Sequence, residues 1–138
     1  MELTQVKSEF IITSNELSLK QMIDTLGFTG DYSGDKNDVL KNGQLRGESF
    51  IEFCTEYEDS LDIHEQYSKL VARVEGIKKN IISLLETGKI CCRFCIVIKI
   101  EKGNTPAMYL NSEFINWLHE LQAELEFDTY ANPYNLEE

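Results

Sequence analysis

The stretch that most constrains this chain is Ile90 to Glu101, ICCRFCIVIKIE, a run of mostly β-branched, aromatic and sulfur side chains without Gly or Pro. Such a run reads as a buried strand. Arg93 and Lys99 project from one side of it, so helices are expected over one sheet surface and only partial cover over the other.

Length decides how much can be built around that strand. The 138 residues, 42% of them apolar, suit one domain that buries about two-thirds of its unfolded surface without staples. Residues 1–131 are expected to form that single α+β domain, with 132–138 as an acidic tail. Met1 to Ser14 shows no basic segment followed by an apolar run and a small-residue cleavage site. No stretch approaches a membrane span of about 18 apolar residues. A cytoplasmic protein with no membrane association is the expectation.

Taken in order, Leu3–Thr13 reads as a strand, with Ser14 or Asn15 capping a helix built on Leu17, Leu19, Met22, Ile23 and Leu26 and closed by Gly27. Phe28–Gly47 reads as a flexible Gly-rich connection, and Ser49–Glu56 as a strand. One long helix is expected from about Asp62 to Glu86, on the stripe Ile63, Tyr67, Leu70, Val71, Val74, Ile77, Ile81, Leu84 and Leu85. After the Ile90 strand, Met108–Leu110 reads as a short strand. A third helix then carries Phe114, Trp117, Leu118, Leu121 and Leu125, and Phe127–Tyr130 forms the last strand.

Phe10–Tyr32 and Met108–Tyr130 share a pattern of strand, polar cap, amphipathic helix and an acidic residue near tyrosine, which suggests a duplicated half-motif. The implied element order favours a mainly antiparallel sheet with helices on one face. NELSLKQMIDTLG, the Gly-rich connection into Phe50–Phe53, the long second helix and the ending LNSEFINWLHELQAELEFDTY resemble the bacterial domain of unknown function 4279 family over almost the whole chain. That resemblance implies a ferredoxin-like α+β sandwich and assigns no functional residues.

Catalytic and metal motifs fail on geometry. Cys91, Cys92 and Cys95 contain C-x-x-C, but on a strand Cys92 points away from the other two, which stand about 13 Å apart. They read as small core residues, with Cys54 another. His64-Glu65 and His119-Glu120 each begin a zinc-protease pattern, but Ser68 and Ala123 occupy the second-histidine positions. A calcium loop begun at Asp31 or Asp35 would put Asn42 or Arg46 where the bidentate glutamate belongs. The reading is a non-enzymatic protein without cofactor or metal.

Charge is the informative signal. The formal net charge is -11, and residues 48–65 and 112–138 each carry seven acids and no Lys or Arg. Direct binding to nucleic acid is disfavoured, because phosphate recognition needs a basic surface. A basic protein partner is the complement. The expected contact residues are Glu56, Tyr57, Glu58, Asp59 and Asp62, with Glu120, Glu124, Glu126, Asp128 and Tyr130. Glu120 and Glu124 are expected to repel one another on one stripe of the third helix, near its negative end. The expected role is an immunity protein that neutralises a basic toxin such as a nuclease. The alternative is a small-molecule or anion-binding domain that uses the open sheet face, through Arg93 and Lys99, and the Gly-rich loop.

Overall fold

The computed structural model describes residues 3–132. Its strands are β1 (Gln5–Ser14), β2 (Tyr32–Gly34), β3 (Ser49–Cys54), β4 (Glu58–Asp59), β5 (Cys91–Glu101) and β6 (Glu124–Asn132). The helices are α1 (Leu19–Leu26), α2 (Ile63–Glu75), α3 (Lys78–Glu86) and α4 (Ser112–Glu120). The six strands form one mixed sheet in the order β2-β3-β1-β5-β6, with β4 beside β1. β1 runs antiparallel to β3, β4 and β5, whereas β6 runs parallel to β5.

Alternation along the strands separates two surfaces. Val6, Phe10 and Ile12 of β1, Ile51 and Phe53 of β3, and Cys92, Phe94, Ile96 and Ile98 of β5 join one core with side chains from all four helices. All helices therefore lie on one face of a two-layer α+β domain. Aromatic rings tie α4 down: Phe94 meets Phe114 edge-on at 5.0 Å, and Phe114 stacks on Tyr67 of α2 at 4.0 Å.

The α+β class expected from the sequence is observed, but the sheet is mixed rather than purely antiparallel, and the ferredoxin-like arrangement is not confirmed. β3 and β5 are parallel with β1 between them, a split β-α-β unit joined through α2 and α3. The other crossover, β5-α4-β6, joins adjacent strands and is not split.

Several boundaries differ from the sequence reading. The long helix breaks at Gly76 and Ile77, where Ile77 has φ -114 and ψ 6 and α3 starts without a side-chain cap. Val74, Ile77 and Ile81 are all buried, so the apolar stripe continues through the break and gives no warning of it. Gly76 supplies the weak point, at about 1 kcal/mol less helix propensity than Ala. The α1 cap is Ser18, in a reciprocal capping box with Gln21, while Ser14 accepts from the Glu16 and Leu17 amides and donates to the Lys89 carbonyl. Gly27 closes α1 at φ 78, as expected.

Met108–Leu110 is not a strand. The Tyr67 hydroxyl donates to the Tyr109 carbonyl and accepts from the Asn111 amide, fastening this segment against α2. The proposed duplication is reduced accordingly, and what the halves share is a helix leading to an edge strand. The Gly-rich connection is not a free connector. Asp35 accepts from the Leu19 and Asn37 amides, which holds its carboxyl below the usual range, and Asp31 binds Arg73 at 2.9 Å and the Cys54 amide.

α4 ends at Glu120, and Gln122 turns the chain with φ 50, so Glu124 opens β6 rather than extending a helix. The expected repulsion between Glu120 and Glu124 on one helical stripe is therefore wrong. Asn132 completes β6, and the rest of the expected tail lies outside the described residues.

Candidate functional site

Strand register places specific side chains in rows across the sheet face opposite the described helices. Glu52, Ile11, Arg93 and Glu124 form one row, and Cys54, Glu9, Cys95 and Glu126 form the next. Lys7, Val97 and Asp128 follow, then Asp59, Gln5, Lys99 and Tyr130. Five of these side chains are carboxylates from β1, β3 and β6, and Asp59 adds a sixth at the margin. Three are cations.

A bulge brings in one more residue. Cys54 stands opposite Glu9 but Glu58 stands opposite Val6, so Thr55, Glu56 and Tyr57 face only Ser8 and Lys7. The extra residue bends this strand. The Tyr57 ring receives the ammonium groups of Lys99 at 4.1 Å and Lys7 at 4.8 Å. Both lysines are thereby engaged on an aromatic face, a contact worth about 0.5–1 kcal/mol at exposed sites. Beside them Val97 and Cys95 are only 3% and 6% exposed, although none of the described helices covers this surface.

The carboxylates are incompletely neutralised. Arg93 reaches Glu126 at 3.6 Å and Lys7 reaches Glu9 at 3.8 Å, both partly exposed pairs of modest value. Burial, then the neighbouring Glu9 carboxylate, holds the Glu52 carboxyl above its ordinary value. Burial, followed by Glu9, Glu126 and Asp128, pushes the Cys95 thiol to about 11. The Cys54 thiol is raised by burial and by Asp31, Glu52 and Glu9. The face thus carries a negative field that its own cations leave uncancelled, and its thiols are held protonated at neutral pH.

The expected contact residues divide. Tyr57, Asp59, Glu124, Glu126, Asp128 and Tyr130 lie on or at the margin of this face, Tyr130 donating to Asp128 at 3.1 Å and being 54% exposed. Glu56 is exposed in the bulge. The others serve the helical side. Glu58 binds Lys69 through both oxygens at 2.7 and 2.8 Å, Asp62 caps α2 by accepting the His64 amide, and Glu120 binds Lys78 at 2.7 Å. The Lys78 pair gives Glu120 a local role that its helix position alone did not suggest. The sequence reading missed Glu9 and Glu52, whose strand alternation was the available signal.

Two cavities deserve comparison with this face. One of about 330 Å³ at the end of β5 is lined by Arg93 and Cys91 but also by Glu48 and Glu124. The other, about 280 Å³ between α2 and α4, is lined by Tyr67, Phe114 and Trp117 with Glu75, Glu113, Glu120 and Lys78. Its polar groups are largely engaged, with the Trp117 indole donating to Glu75. Among the described residues no group of three or more His, Cys, Asp or Glu could hold a metal ion, and no helix is long and apolar enough to cross a membrane.

A family model described as a domain of unknown function (DUF4279) matches residues 4–132. No curated protein and no solved structure matches the chain. The match spans nearly the whole described domain, and the chain belongs to the DUF4279 family.

Proposed function

We propose that this protein is a non-enzymatic inhibitor, of the immunity-protein kind, that docks its acidic open sheet face onto a basic protein partner such as a nuclease toxin. The observation that carries the reading is the gathering of Glu9, Glu52, Glu124, Glu126 and Asp128 on one uncovered face, with Tyr57 and Tyr130 among them. Like charges held side by side are unfavourable in the free protein. A cationic partner relieves that repulsion, and the same field steers its approach. The tyrosines supply aromatic anchors within a charged surround. In the inhibited complex, the carboxylates would occupy the positions at which a basic cleft holds substrate phosphates.

The anion-binding alternative draws on the Arg93 cavity. It has less support, because Glu48 and Glu124 line the same cavity and Arg93 already faces Glu126.

The test is capture on the tagged protein from cells in which the chain occurs naturally, at low and at high salt, with mass spectrometry. Recovery of one basic protein at near-equal stoichiometry at low salt, and its loss at high salt, supports the proposal. Retention of no protein under either condition sinks it.

A further inference from the structure

The two edges of the sheet are treated differently. β2 is a three-residue strand, followed by a loop in which the Gly47 and Arg46 amides return to the Lys36 and Asp38 carbonyls. β6 is nine residues long and pairs with β5 in unbroken register from Arg93↔Glu124 to Glu101↔Asn132. Among the described residues no strand pairs with its outer side. It contains no Lys, Arg or Pro. A long, regular edge of this kind presents a row of unpaired backbone donors and acceptors, which proteins ordinarily shorten, bend or cover.

The side chains of β6 indicate what fits there. Glu124, Glu126 and Asp128 project on the open face, while Leu125 and Phe127 project on the other, where Phe127 remains 40% exposed. Acidic and apolar residues therefore alternate along the edge. A second copy pairing antiparallel about Glu126 or Phe127 would set carboxylate against carboxylate, which is unfavourable for directly opposed residues. A strand alternating Lys or Arg with apolar residues would meet a carboxylate on one face and cover Phe127 on the other.

We infer that β6 is the docking edge for an extended segment of the partner, which alternates basic with apolar residues and adds to the sheet as a further strand. This inference rests on the inhibitor reading and specifies how the acidic surface is engaged. Main-chain bonds supply affinity, and the alternating carboxylates set register and exclude neutral or acidic strands.

The experiment titrates the full chain with a synthetic peptide alternating lysine with valine over the length of β6. A peptide of the same composition, with lysines scrambled onto both faces, serves as control. Hydrogen exchange is read residue by residue. New protection is expected at alternate amides of β6, those not bonded to β5, because an added strand bonds every second residue. The scrambled peptide should bind more weakly. E124Q/E126Q/D128N should weaken the alternating peptide by about tenfold or more, while E120K leaves binding unchanged.

Binding without new protection in β6 would overturn strand addition while leaving the acidic-docking reading standing. Protection of β6 in the protein alone, rising with its concentration, would mean that a second copy occupies the edge and would also overturn the inference. So would failure of the peptide to bind at all. Retention of no protein in the capture experiment, at low or at high salt, would instead overturn the inhibitor reading beneath it.

Discussion

Gln66 offers a sharp test of the packing account. Its side chain points from α2 into the core, is 0% exposed, and has no hydrogen-bond partner for either amide atom among the described residues. Leaving a buried polar group unsatisfied costs about 1–3 kcal/mol, and a glutamine places two such atoms in the interior. Methionine and leucine have similar volume and carry no amide, and a volume-conserving exchange costs under about 1.5 kcal/mol. Relief of the desolvation penalty should therefore outweigh repacking, giving a net gain of about 1–2 kcal/mol for Gln66→Met. With an unfolding entropy of about 2.1 cal/mol/K per residue, each kcal/mol moves Tm by about 3 °C in a chain of 138 residues. Thermal unfolding followed by circular dichroism should show Gln66→Met raised by about 3–7 °C, and Gln66→Leu raised by less because of its branched shape. A fall in Tm for both variants would show instead that the amide is satisfied in the folded protein.

Other consequences follow from the same geometry. Glu52→Gln should raise Tm at neutral pH, since the folded protein holds the Glu52 proton more tightly than the unfolded chain does and so loses stability as pH rises through the raised value. That advantage should vanish in acid, below the unfolded value; a gain that persists there would point to packing instead. Phe114→Ala removes the ring that joins Tyr67 to Phe94 and should cost about 3–5 kcal/mol in chemical denaturation, whereas a loss under about 1 kcal/mol would mean that α4 is not anchored there. Alkylation followed by mass spectrometry near neutral pH should modify exposed Cys91 first, with Cys92 and Cys95 slowest because burial holds their thiols at about 12 and about 11. Labelling of Cys95 as fast as Cys91 would contradict the protonated, covered thiol described above.

The central sheet was legible in the sequence because β1 and β3 keep strict alternation, with buried positions at Val6, Phe10 and Ile12 and again at Ile51 and Phe53, and because β5 is a nearly continuous buried run from Phe94 to Ile98. Where two periods coincide, local pattern fails. Trp117, Leu118, Leu121 and Leu125 fit a helix, yet Leu125 and Phe127 equally fit a strand, and the left-handed turn at Gln122 that decides between them involves neither Gly nor Pro. The stripe through Val74, Ile77 and Ile81 likewise reads as one helix, because its apolar spacing survives the break. Parallel pairing of β6 with β5 depends on where α4 delivers the chain, a tertiary property.

The candidate site was legible by composition more than by position. Counting acids found β6 and the segment after β3, but could not separate Glu124, Glu126 and Asp128, which gather on the open face, from Glu58 and Glu120, which hold Lys69 and Lys78 on the helical side. Glu58 meets Lys69 from the next element, and Glu120 meets Lys78 from far along the chain, so neither pair follows from local spacing. Glu9 was overlooked because it stands apart from the acid-rich segments, and Glu52 because its place among the acids of residues 48–65 did not show which sheet face it joins; both meet the others only through register. Tyr57 reaches the face through a one-residue bulge that no local signal announced.

Docking through the open sheet face is decided by the association rate of the captured basic partner with wild-type protein, E124K/E126K/D128K and E120K, each at low and high ionic strength. Docking through the acidic face predicts fast association for wild type and E120K, approaching about 10⁸ M⁻¹s⁻¹ at low salt and falling steeply as salt rises. It predicts slow, nearly salt-independent association for the triple variant. Equal rates and equal salt dependence for wild type and the triple variant would contradict docking through the open sheet face.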